Sequence, residues 1–283
     1  MSVYFTKLRP TLKLISFLAF LTVGAGAASP TRWTYSIKPS RPSPGNTVCV
    51  LITGPGPVQK PASHFEGQAL AAYPAGKGRW KILLGIPANL PPGPHTLHVE
   101  SGAGSPENLT FEVRPGIFPS ESLTFTPEKQ KLLSAGPAEG RKIHELMRTE
   151  TPERRWKGRF SLPIHGRLLT GYGTRRNYED YHRGVDIKST QGSLIRAPEA
   201  GRVVLAQGLQ LHGNTLLIDH GQGVTSVYLH LSKFLVREGE EVRKNQTIGR
   251  VGTTGLSTAP HLHWGIYVHG VPVDPMDWTR KKF

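Results

Sequence analysis

Glycine and proline recur so often along this chain that they leave little room for long helices. The 283 residues include 32 glycines and 24 prolines. Proline breaks a helix interior, and glycine weakens one. Between them lie short runs of β-prone apolar residues that lack the period of an amphipathic helix. The pattern predicts a mainly β fold of short strands and tight turns.

The apolar runs fall into two groups, which we expect to be two domains in a chain of this length. Residues 31–115 carry short runs bounded by Gly, Pro, Asn and Ser, and such runs favour a small antiparallel sandwich. Residues 161–283 show strand after strand with glycine at the turns, so they predict a second antiparallel β domain with little helix. The strand candidates are Val48–Ile52, Trp80–Leu84, His95–Val99, Leu109–Val113, Arg202–Leu205, Thr215–Ile218, Val224–Tyr228, Thr247–Val251 and Leu262–Val268.

A connector of residues 116–160 joins the two groups. Within it, Ile143 and Met147 share one face of a helix predicted over 138–148. A second short helix can begin at Pro127. Because a helix of about three turns is rarely stable alone in water, we expect it to pack on a neighbouring domain and couple the two.

Residues 1–28 have the pattern of an export signal. Basic residues within 7–13 precede the apolar run Leu14–Val23, which is too short to cross a bilayer comfortably and is followed by small residues up to Ala28. We expect cleavage near Ala27 or Ala28, with an uncleaved anchor as the alternative. The mature protein would have no stable membrane span and would act in the periplasm, in the cell wall or outside the cell.

Charge and cysteine usage limit the function classes further. The formal net charge is +15, and loss of the three basic residues of the signal leaves about +12. Such a surplus favours anionic partners, wall polymers among them, through long-range attraction. No nucleic-acid-binding module accompanies the charge, so we expect no nucleic acid partner. Cys49 is the sole cysteine in the sequence and cannot form an internal disulfide, so the fold must depend on packing.

Three histidine signatures follow one another in the second domain, namely His182-Arg-Gly-Val-Asp186, Tyr228-Leu-His230 and His261-Leu-His263. Imidazole nitrogens and carboxylate oxygens are zinc ligands, and a catalytic zinc site uses three of them and leaves the fourth position to water. His261 and His263 point the same way along a strand, so one can bind metal while the other stands over the bound water. Gly184 is expected to let the chain turn between two ligands.

The order of these signatures resembles the lysostaphin-type (LytM-like) zinc endopeptidases that cut bacterial peptidoglycan. The phrases Gly171-Tyr-Gly173, Asp219-His-Gly221 and Val251-Gly-Thr-Thr-Gly255 between them belong to the same resemblance, which covers roughly Pro163–Trp278. The first domain is similar to the immunoglobulin-like domain that precedes the catalytic domain in some of these peptidases. The resemblance therefore implies an N-terminal immunoglobulin-like domain at 31–115 and a zinc metallopeptidase domain at 161–283.

The same resemblance assigns roles by position. It implies one zinc ion per chain held by His182, Asp186 and His263, with His230 and His261 as the catalytic pair. The expected reaction is hydrolysis of an amide bond in a stem peptide or cross-link of peptidoglycan, with zinc-activated water as the nucleophile.

The resemblance leaves the division of work between the two catalytic histidines open, and their chemistry favours one assignment. The chain has no H-E-x-x-H motif to supply a glutamate base, so His261 is the best candidate for the general base. His230 is expected to hydrogen-bond the oxyanion, and Tyr178 or Tyr181 is a weaker candidate for that contact. His165, His212, His220 and His269 have no matching partner in the sequence, so they stay outside the site.

Two other functions remain open at this point. A non-enzymatic wall-binding module, or an activator of another wall hydrolase, would use the same groove, as degenerate members of the family do after losing metal ligands. No ligand position is lost here, which argues against it. A biotinyl- or lipoyl-type carrier shares the glycine rhythm of Val236–Gly249, but the surroundings of Lys188 do not match a modified lysine.

Overall fold

A computed structural model describes residues 33–54, 60–101 and 106–283. The expected export signal at 1–28 lies outside these described residues. The helices within the described ranges are too short or too polar to span a lipid bilayer. Strands dominate, and nearly all of their pairings are antiparallel. The predicted mainly β class is therefore confirmed.

The first described strands build two four-stranded antiparallel sheets, with strand orders β1-β2-β6-β5 and β4-β3-β7-β8. The strands are β1 Thr34–Lys38, β2 Thr47–Thr53, β3 Ala62–Phe65, β4 Gln68–Ala69, β5 Ala72–Pro74, β6 Arg79–Gly85, β7 Gly93–Glu100 and β8 Glu107–Val113. Alternate apolar residues of both sheets, such as Val50, Ile82 and Leu97, meet in one core and exclude water. The predicted small antiparallel sandwich is thus present.

The connector forms one short strand and three helical segments. They are β9 Ser120–Glu121, α1 Pro127–Gln130, a 3₁₀ helix Lys131–Ala135 and α2 Gly136–Met147. Ile143 and Met147 are buried against Leu205, Leu217 and Tyr267 of the following sheet. The connector helix therefore packs on the C-terminal region, as its amphipathic pattern predicts.

The C-terminal region is organised around one large antiparallel sheet with the order β10-β12-β20-β16-β15-β14-β18, and β21 pairs with β20. Its strands and helix are β10 Arg167–Thr170, β11 Arg175–Arg176, β12 Val185–Lys188, β13 Leu194–Arg196, β14 Gly201–Leu209, β15 Gly213–Gly221, β16 Val224–Leu231, β17 Lys233–Phe234, β18 Glu241–Val242, β19 Thr247–Arg250, β20 His261–Val268, β21 Val271–Val273 and α3 Pro275–Arg280. Strands β13, β19 and β17 form a smaller sheet, and β11 pairs in parallel with β9.

The two faces of β20 have different partners. Leu262, Trp264 and Ile266 point into the main core, while His263 and Tyr267 point to the opposite face, where α2 packs. This alternation is the period of two that a strand imposes. One face of the large sheet therefore packs in the main core, and the opposite face carries the histidines of the candidate site.

The sandwich and the C-terminal region share an apolar interface. Leu83 of β6 belongs to the same buried cluster as Trp156 and Trp278. The indole Nε1 of Trp278 donates to Thr47 Oγ1 at 3.0 Å, and both groups are buried. Since β6 also supplies Ile82 to the sandwich core, this strand is buried on both faces and joins the two regions.

Candidate functional site

Three neighbouring strands bring the sequence signatures together. Asp186 lies on β12, His261 and His263 on β20, and His230 near the end of β16. The register pairs Asp186 with His263 across β12 and β20, and pairs Leu229 with His263 across β16 and β20. Residues far apart in sequence therefore meet because their strands are hydrogen-bonded neighbours.

His182, Asp186 and His263 form a buried group whose candidate ligand atoms all lie within 4.8 Å of one another. Nε2 of His182 is 3.1 Å from Oδ1 of Asp186, and Nδ1 of His263 is also 3.1 Å from that oxygen. Nδ1 of His182 donates to the carbonyl of Gly171 at 3.1 Å, which leaves the lone pair on Nε2. Two imidazole nitrogens and one carboxylate oxygen, with one ring oriented by a carbonyl, fit a zinc ion.

Asp186 is held ionised by its neighbours. Burial alone would raise its pKa, but the close contacts with the rings of His182 and His263 outweigh burial and hold the pKa well below its usual value. The guanidinium of Arg176 donates from Nη2 to Oδ2 of Asp186 at 2.7 Å. Arg176 also contacts Glu121 of β9. No sequence signal indicates Arg176, because its acidic partners come from separate segments of the chain.

A β-bulge turns His230 toward the other histidines. Between Tyr228 and Leu231, strand β16 has one residue more than the β15 segment that pairs with it, and His230 has a φ of 64°. Regular alternation would point residue 230 to the same face as Tyr228, which is in the main core. The bulge instead leaves His230 beside His263, with ring centroids 6.5 Å apart.

His230 and His261 face each other with ring centroids 5.0 Å apart. Nδ1 of His230 donates to the Thr254 carbonyl at 2.9 Å, and Nδ1 of His261 donates to the Ala259 carbonyl at 2.8 Å. Because a carbonyl only accepts, each neutral ring keeps its lone pair on Nε2. Burial, with the charges of His261 and His263, lowers the pKa of His230 to about 3. The expected donation by His230 to an oxyanion therefore requires that the ring first gain a proton.

Three of the five residues, His182, His230 and His263, line a cavity of about 1000 Å³. Helix α2 lines the cavity through Gly140, Ile143 and His144, and His230 and His263 of the sheet line it together with His182 of the loop before β12. Such a volume is ordinary for a binding cleft. The connector is therefore a part of the groove as well as a link between the two β regions.

The two tyrosine candidates separate in the structure. Tyr178 lines the cavity and packs edge-on against Phe125 with ring centroids 5.1 Å apart. Tyr181 is buried against Tyr172 with ring centroids 6.0 Å apart, and it does not line the cavity. Tyr178 is the one that can reach a ligand.

Gly184 is required for a reason other than the expected turn. Its φ is not positive, but a Cβ there would lie 2.4 Å from the carbonyl oxygen of Trp264 and 2.9 Å from Nε2 of His263. Close packing of β12 against β20, not a special backbone conformation, excludes a side chain.

Two of the histidines that were expected to stay outside the site have acidic hydrogen-bond partners. His212 Nδ1 lies 2.7 Å from Oε2 of Glu139, and His269 Nδ1 lies 3.1 Å from Oε1 of Glu150. Both partners are in the connector, more than 70 residues away in sequence, so local spacing could not reveal them. His220 is hydrogen-bonded to the Ala200 carbonyl and to the Ser226 hydroxyl. It is fully buried, and burial lowers its pKa to about 4.

Comparison with known proteins agrees with this geometry. The family model of Peptidase family M23 matches residues 180–275. A peptidoglycan DD-endopeptidase of Vibrio cholerae, ShyA, is 40% identical over 95 residues, which are 34% of this chain and 22% of ShyA. The murein hydrolase activator EnvC of Escherichia coli is 34% identical over 125 residues, which are 44% of this chain and 30% of EnvC. This chain thus spans less than a third of the length of either relative.

A solved structure matches most of the chain. A crystal structure from Pseudomonas aeruginosa, described as a peptidase M23, has a TM-score of 0.65 and 27% identity, and the match covers 84% of this chain and 94% of that one. The match extends beyond the residues of the family model. The histidine signatures, the sheet that joins them and the matched region lead to one conclusion: residues 180–275 of this chain form a domain of peptidase family M23.

Proposed function

We propose that this protein is a zinc-dependent endopeptidase that hydrolyses amide bonds in the stem peptides or cross-links of peptidoglycan. The observation that carries the proposal is the cluster of His182, Asp186, His263, His230 and His261, three of which line the groove. Peptidoglycan is proposed as the substrate because ShyA is named for it. The proposal includes the division of the chain into a signal at 1–28, an immunoglobulin-like domain at 31–115, a connector at 116–160 and a peptidase domain at 161–283.

His182, Asp186 and His263 would hold the zinc ion. When bound, zinc supplies a Lewis acid for the amide carbonyl and lowers the pKa of water to about 7. Arg176 keeps the Asp186 carboxylate oriented and ionised through its contact with Oδ2. The Gly171 carbonyl fixes the His182 ring with Nε2 toward the ion.

His261 and His230 would move the proton. Nε2 of His261 accepts the proton that water loses as it adds to the carbonyl carbon, and passes it to the leaving nitrogen. Nε2 of His230 serves as the second acceptor and orients the water. His261 is the better base because its side chain is 12% exposed, whereas the buried His230 has a pKa lowered to about 3.

The place of action follows from the substrate. Peptidoglycan lies outside the inner membrane, so the proposal requires export, which the pattern of residues 1–28 would provide. The net charge of about +12 that remains without the three basic residues of the signal favours retention at an anionic wall, where other wall polymers can contribute to binding.

Digestion of purified sacculi is the direct test of the proposed function. The zinc-loaded protein should release soluble muropeptides, and mass analysis of the products should identify the broken amide bond. Addition of a chelator should stop the release, and zinc should restore it. Binding to sacculi without any release of muropeptides would instead support a role like that named for EnvC, an activator of another hydrolase. Loss of a zinc ligand from the sequence would have favoured this alternative.

Gly140 offers a test of the groove itself. A Cβ at Gly140 would meet nothing within 4 Å, and the residue lines the cavity. Gly140→Leu should therefore extend a side chain into the groove while raising helix stability by up to about 1 kcal/mol. Muropeptide release should fall about tenfold or more, an order-of-magnitude expectation for a group displaced from its reactive position.

Helix α2 provides a matched control for this substitution. Glu145→Leu adds the same side chain at an exposed position outside the cavity lining, and it should release muropeptides at the parental rate. Zinc content and melting temperature are measured for both variants. Full activity in a folded Gly140→Leu protein would mean that the substrate does not lie along α2.

A further inference from the structure

We propose that Glu139 of the connector helix is a positioning residue for His230, acting through the turn at residues 210–212. The inference rests on the proposed function, since it concerns how a proposed catalytic histidine is held. The connector thus contributes to the reaction although it lies outside the matched family domain at 180–275. Glu139 touches neither His230 nor the zinc-ligand group, so its effect is indirect.

The Glu139 carboxylate binds this turn with both of its oxygens. Oε1 accepts from the backbone N–H groups of Gln210 and Leu211, and Oε2 accepts from the backbone N–H groups of Leu211 and His212. Oε2 also accepts from Nδ1 of His212 at 2.7 Å. Burial alone would raise the pKa of Glu139, but the bonds from His212 and the backbone lower it, so the carboxylate is ionised.

The turn at residues 210–212 also fixes the position of His230. The carbonyl of His212 accepts from the backbone N–H of His230 at 3.2 Å, at the residue whose φ is 64°. Gly213 packs so tightly on Thr254 that a Cβ there would lie 2.4 Å from the Thr254 carbonyl oxygen, the atom that accepts from His230 Nδ1. Backbone and ring of His230 are therefore both fixed by the segment that Glu139 anchors.

A residue in the left-handed region needs such support. The left-handed conformation is uncommon for a residue with a side chain, and it persists where surrounding contacts over-determine it. If the turn loosens, His230 can leave the bulge, and a regular strand would carry its ring toward the core face. Loss of Glu139 should therefore affect the orientation of His230 before it affects the fold.

Glu139→Gln is the sharpest substitution, because it keeps the shape of the side chain. Both carboxylate oxygens face N–H donors, so the amide NH₂ must meet a donor in either orientation. We expect kcat on muropeptide dimers to fall about 10- to 100-fold with KM little changed, since a misplaced catalytic group costs rate more than substrate binding. Zinc content should stay at one per chain.

Amide hydrogen exchange gives a readout that does not depend on activity. In the zinc-free protein, a peptide covering residues 226–232 should exchange faster in Glu139→Gln than in the parent, while strands of the sandwich should not change. Glu145→Gln makes the same charge change at an exposed position of the same helix and should alter neither measurement. Failure of the parent to release muropeptides would contradict the proposed function, but the exchange experiment would still test the positioning.

Unchanged kcat and unchanged exchange at 226–232 in a folded Glu139→Gln protein would overturn the inference. Should that variant not fold, His212→Ala takes its place, because it deletes the imidazole contact and keeps the helix sequence. His212→Ala should lower kcat and speed exchange at residues 226–232 in the same directions, but by smaller amounts. Normal exchange at 226–232 in His212→Ala, with normal kcat, would count equally against a positioning role.

Discussion

Asp186→Ala should abolish zinc binding and muropeptide release together while the protein stays folded. The substitution removes one of three candidate ligands and leaves the Arg176 guanidinium facing the site without its 2.7 Å carboxylate partner. An uncompensated positive charge would then oppose a metal cation. The loss of zinc affinity should be larger than the loss of about 10- to 100-fold that is typical when a residue that only orients a metal ligand is removed.

Metal analysis after gel filtration measures this effect, and circular dichroism checks the fold. Asp180→Ala is the matched control, because it removes an acidic charge from the loop before β12 and is not part of the group of His182, Asp186 and His263. The control should retain its zinc. Stoichiometric zinc in a folded Asp186→Ala protein would remove Asp186 from the ligand set.

Removal of the His230 ring should lower the reaction rate without lowering the zinc content. His230→Ala should keep one zinc per chain and lose about 10²- to 10⁴-fold in kcat, the usual contribution of a proton-transferring side chain. Since the φ of 64° is unfavourable for alanine, His230→Asn is the better variant. Asparagine tolerates the left-handed region and so keeps the bulge while removing the imidazole.

Single-turnover rates on muropeptide dimers, with zinc content measured on the same samples, test the prediction. His165→Ala removes an exposed histidine outside the cavity lining and should cut at the parental rate. If His230→Asn were to cut as fast as the parent, His230 would have no part in the reaction, and His261 would be left as the sole proton acceptor.

The strands that carry the site were accessible from the sequence, because alternation and glycine punctuation are local signals. Val224–Leu231 and His261–Val268 were found within a few residues of their ends. Their pairing was not a local signal. That Asp186 lies opposite His263 depends on the strand order of the whole sheet, and only the family resemblance could indicate it beforehand.

Two features of the site were hidden for definite physical reasons. The bulge at His230 arises where β16 carries an extra residue relative to β15, and no glycine marks it, so regular alternation gives the wrong face. The contact of Glu139 with His212 joins residues 73 apart in sequence. Periodicity identified the buried face of α2 at Ile143 and Met147. Glu139 lies one turn before Ile143 on the same side of the helix, but a charged residue adds nothing to an apolar pattern.

The antiparallel ladder between β12 and β20 has a consequence for how the protein would acquire the proposed zinc ion. Asp186 and His263 are opposite each other in a hydrogen-bonded sheet that continues through Val185 and Trp264 into the main core. The distance between Asp186 and His263 is therefore set by backbone pairing and by the buried indole of Trp264, and not by metal coordination. Loading and stripping of the ion should be reversible exchanges on a finished scaffold, unlike those of a zinc finger, which unfolds when it is chelated.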